Sequence, residues 1–160
     1  MSPSWRPHVR LHNLHDRPLQ LLHHILENIN FNLPNKQKRK SWIKALAKDE
    51  GFSVAELSYI FCSDEYLHKM NLEYLDHDTY TDIITFDNSE ESKTIEGDIF
   101  ISIDRVRENA KQLDLTEDIE LSRFISHGLF HLMGYKDKTK TQMLEMRKME
   151  ELAIELFNKT

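Results

Sequence analysis

Ser126-His127-Gly128-Leu129-Phe130-His131-Leu132-Met133-Gly134-Tyr135-Lys136-Asp137 is the stretch on which the reading of this chain turns. His127 and His131 are separated by one helical turn in an apolar run. Residues at that spacing share a helix face, with Cβ atoms about 5–6 Å apart. Both imidazoles can then reach one ion at the zinc–nitrogen distance of about 2.0–2.1 Å. Gly134 can close the helix in a left-handed conformation. The chain turns back, and Asp137 can bring a carboxylate oxygen toward the same ion. Three protein ligands with an open position make the arrangement of a hydrolytic metal site. The competing reading is two core-edge histidines satisfied by backbone, and the spacing leaves both open. His8 and His12 repeat the spacing in a polar, Pro-flanked segment with no obvious third ligand, so they read as an exposed terminus.

Working outward, Thr116 followed by Glu117 and Asp118 starts the helix that carries the histidines. Leu121, Ile125, Leu129 and Leu132 give it a core stripe, and Glu120, Phe124, His127 and His131 an adjacent one. Downstream, residues 141–157 predict a last helix with Met146, Met149, Ala153 and Leu156 on one face; methionines at helical spacing are usually core. Lys136, Lys138 and Lys140 between the two helices read either as an ordinary charged loop or as phosphate contacts.

Upstream, Ser102 caps a helix to about Leu113, with Ile103, Val106 and Ala110 inward. Gly97–Ser102, Ile83–Phe86 and Glu56–Cys62 read as strands; residues 88–94 are a polar hairpin or loop. Asp82 and Asp98 begin strands, where such residues usually bond nearby backbone. Ser63 caps a short helix to about Leu72, with Asp64 and Glu65 in its first turn. Residues 35–48 predict a helix burying Trp42, Ile43, Leu46 and Ala47. Its Lys36, Lys38, Arg39, Lys40, Lys44 and Lys48 form a solvated cationic face, or else a phosphate-tracking surface. Between Ile25 and Leu33, Ile29, Phe31 and Leu33 alternate with asparagines, which favours a strand over a helix through Leu22, Ile25, Leu26 and Ile29. Residues 1–23 read as an extension, with a helix start near Pro18, and residues 24–160 as the domain.

The chain has 160 residues, 39% hydrophobic and 30% charged, the profile of a globular domain with a real core. No apolar run approaches the 18 or so residues of a membrane span, and the first residues lack a signal-peptide core. Cys62 is a lone cysteine, which suits a reducing cytoplasm. The net charge of −6 argues against a protein that coats nucleic acid non-specifically. Position 128 is Gly, so the His-Glu-x-x-His metalloprotease pattern is absent, as are a P-loop and a serine nucleophile elbow.

His127-Gly-x-x-His131-Leu-x-Gly134-Tyr135 resembles the signature of the YbeY family, bacterial endoribonucleases that mature ribosomal RNA. Two further blocks resemble the family in the same order: Asn71-x-x-Tyr74 through Thr81-Asp82-Ile83-Ile84-Thr85-Phe86, and Gly97-Asp98-Ile99-Phe100-Ile101. The family's three histidines bind zinc. Here the last falls on Asp137, Lys136 replaces an aspartate, and Leu75 stands where the family has an arginine. Aspartate is harder, anionic and shorter in reach than histidine, and would make water at the site less acidic.

The resemblance implies an α/β (α+β) fold, a small mixed four-stranded sheet packed with about five helices in a single domain. It implies one zinc per chain, with His127, His131 and Asp137 at the ligand positions. From the residues themselves no general base stands out; Asp82, Asp98 and Glu120 are weak candidates. The implied activity is single-strand-specific cleavage of RNA in 16S ribosomal RNA maturation and ribosome quality control, in the cytoplasm. Its partners would be ribosomal RNA and the small ribosomal subunit, with no membrane and no DNA. The alternatives are a metal-dependent hydrolase of another substrate, a non-catalytic ribosome assembly factor, and a site lost to drift.

Overall fold

The computed structural model describes residues 22–27, 29–75 and 81–160. The readings at His8 and His12 and at Pro18 fall outside the described residues, as does nearly all of the 1–23 extension. The elements are β1 (Leu22–Glu27), α1 (Lys36–Asp49), β2 (Ser53–Cys62), α2 (Asp64–Leu75), β3 (Ile83–Asp87), β4 (Thr94–Ser102), α3 (Ile103–Leu113), α4 (Glu117–Leu132) and α5 (Lys140–Lys159). The sheet order is β1-β2-β4-β3. β1 and β4 run parallel to β2, and β3 runs antiparallel to β4. Among the described residues the expected mixed four-stranded sheet with five helices is therefore what forms.

Strand alternation splits the core into two layers. Leu57, Tyr59 and Phe61 of β2, with Ile95, Ile99 and Ile101 of β4, face α1, α3, α4 and α5. Ile60, Cys62 and Phe100 face the other way, against Tyr66, Leu67 and Met70 of α2. Two glycines sit at close approaches, Gly128 where α4 meets β4 and Gly97 where β4 meets β3. A Cβ on Gly128 would lie 2.7 Å from Cγ2 of Ile99, and one on Gly97 would lie 2.3 Å from the Phe86 carbonyl oxygen. Gly128, between the two histidines, thus sets helix α4 down on β4 with its histidine stripe turned toward β3.

Of the strand expected between Ile25 and Leu33, Ile25–Glu27 forms as the end of β1, in place of the competing helix, and Ile29–Leu33 does not. β1 ends where Glu27 pairs with Cys62, the last residue of β2, so the chain beyond it has no neighbour to pair with. Ile29, Phe31 and Leu33 instead pack from a loop against the first core layer, with the Phe31 and Phe61 rings 5.2 Å apart. In α5, Leu156 is 40% exposed and does not join the buried face. Phe157 takes that place, edge-on to Trp42 at 5.0 Å, because the inward repeat runs Met146, Glu150, Ala153, Phe157. Arg39 leaves the cationic face of α1. It is 1% exposed, donates to Asp118 Oδ1 at 2.6 Å and to Ser122 Oγ at 3.0 Å, and so ties α1 to α4.

Candidate metal centre

α4 is fixed at both ends by local sequence. Thr116 Oγ1 accepts from the Ile119 amide at 3.1 Å, and Glu117, Asp118 and Glu120 place negative charge in the first turn. At the other end Gly134 takes φ +100°, its amide donates to the His131 carbonyl, and the Tyr135 amide donates to the Phe130 carbonyl. This is the Schellman closure. It reverses the chain so that Asp137 comes back alongside His127 and His131.

The three side chains converge. His127 Nε2 and His131 Nε2 are 3.0 Å apart, and Asp137 Oδ2 lies 3.2 Å from the first and 3.4 Å from the second. A tetrahedral ion with bonds of about 2.0–2.1 Å holds its ligand atoms roughly 3.3 Å apart. The triad has the dimensions of one face of such a tetrahedron, and this group could hold a metal ion.

The far side of each ring explains why the near atoms point together. His131 Nδ1 lies 2.9 Å from the Tyr135 carbonyl oxygen, which can only accept, so that nitrogen carries the proton. His127 Nδ1 lies 2.6 Å from Glu150 Oε2, and the carboxylate accepts from it in the same way. Both Nε2 atoms are then turned toward each other and toward a carboxylate oxygen. Three acceptors this close require a cation or shared protons among them. Outer-shell acceptors of this kind are what orient metal-ligating histidines.

Glu150 was not singled out from sequence, nor was Arg123. Glu150 is 5% exposed on the inward face of α5. Arg123 donates to Glu120 Oε1 at 2.9 Å and Glu151 Oε1 at 2.8 Å, and lies 3.5 Å from Glu150 Oε1. The available signal was the position of Glu150 on the same face as Met146 and Ala153, where an acid must have a partner.

The triad opens onto a cleft of about 700 Å³ walled by β3, the end of α3, α4 and α5. Of the carboxylates weighed as bases, Asp82 and Glu120 line it. Desolvation at the cleft wall raises the Asp82 carboxyl above its ordinary range, the Arg105 guanidinium offsetting part of the rise. Its side chain is open to the cleft, so the effect is that of narrow walls rather than of true burial. Asp98 is turned to the opposite face of the sheet, where Asn88 Nδ2 donates to it at 3.2 Å. Lys136, Lys138 and Lys140 are exposed beyond α4 and do not line the cleft. Leu75 packs on the second core layer with Tyr74.

Fold and site together define a compact α/β protein with a histidine–histidine–carboxylate group at the mouth of a cleft. The sequence model of the family Endoribonuclease YbeY matches residues 25–158, and the chain belongs to that family. It is 52% identical over 130 residues to the endoribonuclease YbeY of Cytophaga hutchinsonii, covering 81% of this chain and 91% of that one. It is 46% identical over 142 residues to the Porphyromonas gingivalis protein of that name, covering 84% and 93%. The solution structure of a Thermotoga maritima protein shares the fold, with a TM-score of 0.58 at 23% identity over 86% of this chain and 92% of that one.

Proposed function

We propose that this protein is a zinc-dependent endoribonuclease that cuts single-stranded ribosomal RNA during maturation and quality control of the small ribosomal subunit, in the cytoplasm. The observation that carries the reading is the convergence of His127 Nε2, His131 Nε2 and Asp137 Oδ2 within 3.0–3.4 Å, with both Nδ1 atoms engaged elsewhere. Two imidazoles and one carboxylate suit zinc. Membership of a family of endoribonucleases supports RNA as the substrate.

A zinc ion so held would supply Lewis acidity toward a phosphodiester oxygen and a lowered pKa for water. The chain's own residues do the rest. Glu150 and the Tyr135 carbonyl hold a proton on each Nδ1 and keep the rings in register. Arg123, bound to Glu120 and Glu151, keeps the wall of α4 and α5 rigid behind His127. The cleft runs from the triad past Asp82, Ile83 and Thr85, so a strand lying along it meets the edge of the sheet. A single strand can bend its backbone into such a space, whereas a duplex presents a stiff outer surface.

The test is cleavage of a labelled ribosomal RNA fragment containing both a duplex and a single-stranded segment. Untagged protein is expected to cut in the single strand, and His127→Ala to lose that activity. Cutting that persists in His127→Ala, or equal hydrolysis of a peptide or simple ester in place of RNA, would overturn the reading.

A further inference from the structure

The triad and the cleft floor are acidic: Asp82, Glu120, Asp137 and Glu150 all line the space that a polyanion would enter. A phosphodiester needs a cation there besides any ion at the triad. Two arginines line the cleft among the described residues, and they differ in what they are free to do. The Arg123 side chain is 11% exposed and faces three carboxylates, Glu120, Glu150 and Glu151. It is committed to the wall.

Arg147 sits one turn before Glu150 on α5. Its side chain is 56% exposed, and its ion pair with Glu150 Oε1 is long, at 3.8 Å. Glu150 in turn holds His127 through its other oxygen. One carboxylate therefore separates the Arg147 guanidinium from the candidate metal centre. A guanidinium presents a planar fork of donors that matches two phosphate oxygens.

We infer that Arg147 is a substrate-binding residue, clamping the RNA phosphate next to the scissile one. The inference rests on the endoribonuclease reading and names the side chain through which this chain meets its polyanion.

The experiment measures metal content, cleavage kinetics and affinity for a single-stranded oligoribonucleotide across a salt series, for wild type, Arg147→Ala and Arg147→Lys. Arg147→Ala is expected to keep the wild-type metal content. It should weaken affinity and raise KM by about ten- to a hundredfold, with a smaller change in kcat. Its slope of log affinity against log salt should fall by about 0.7, the loss of one phosphate contact. Arg147→Lys should recover the slope and part of the affinity, since a point charge replaces the fork. A wild type that cuts RNA, beside an Arg147→Ala variant with unchanged KM and salt slope, would overturn this inference alone. A wild type that neither binds nor cuts RNA would overturn it together with the functional reading.

Discussion

His127 Nδ1 and Glu150 Oε2 lie 2.6 Å apart, across two helices that meet at the candidate metal centre. Glu150 comes from α5, so the imidazole is aimed from outside its own helix. Replacing Glu150 with Gln keeps the shape and removes the charge. Loss of such an outer-shell partner typically costs about 10–100-fold in metal affinity. Competition against a chelator should show that loss in Glu150→Gln with helical content unchanged. Equal affinity would mean that Glu150 does not orient the ring.

Asp137 gives the site one more negative charge than a third imidazole would. Asp137→Ala should abolish stoichiometric metal binding. Asp137→His should retain it, and the removal of an anionic ligand should make water at the site more acidic. The acid limb of the kcat/KM profile is then expected to move to lower pH than in wild type. A limb that stays in place would show that the titrating group lies elsewhere.

The seat of α4 on β4, and of β4 beside β3, depends on two missing methyl groups. In Gly128→Ala the added Cβ meets Ile99 Cγ2, a side-chain atom that can shift. In Gly97→Ala it meets the Phe86 carbonyl, backbone in the sheet itself. Overpacking of this kind costs about 1–3 kcal/mol when neighbours can yield. Denaturant titration should place Gly128→Ala in that range and Gly97→Ala beyond it. An Ile99→Val change added to Gly128→Ala should leave its loss unrelieved, because valine retains Cγ2, whereas Ile99→Ala should relieve part of it.

Arg39 is buried against a half-exposed partner. Burial pulls its pKa down, and Asp118 pulls it back up. A buried charge stripped of its partner is costly, whereas an apolar replacement of similar size is often tolerated. Asp118→Ala is therefore expected to lose about 1–3 kcal/mol, the exposure of Asp118 and the retained Ser122 contact limiting the loss. Arg39→Met should cost less than Arg39→Ala in thermal unfolding. Equal losses in the two variants would mean that the pair, and not the volume, holds α1 in place.

What could be read from sequence was mostly local. One helical turn between His127 and His131, and a glycine stop before Asp137, fix a convergence that the chain makes within twelve residues. Glu150 lay beyond this, because an acid in a helix rich in acids looks like surface until the facing helix is known. Arg39 was one cation in a run of cations, and only the position of Ser122 and Asp118 distinguishes it. The alternation at Ile29, Phe31 and Leu33 reported burial correctly but not pairing, since a strand also needs a neighbour and β2 stops at Cys62. Asp82 and Asp98 read alike as strand starts, yet Asp82 stands just before β3 at the cleft wall, whereas Asp98 lies midway along β4 and its register sends it behind the sheet.

X-ray absorption at the zinc edge of untagged, zinc-loaded protein tests the account most directly. One ion per chain is expected, with two imidazole nitrogens at about 2.0–2.1 Å and carboxylate oxygen in its shell, and with the imidazole scattering reduced in His131→Ala. A spectrum without imidazole scattering, or one unaltered by removing His131, would contradict it.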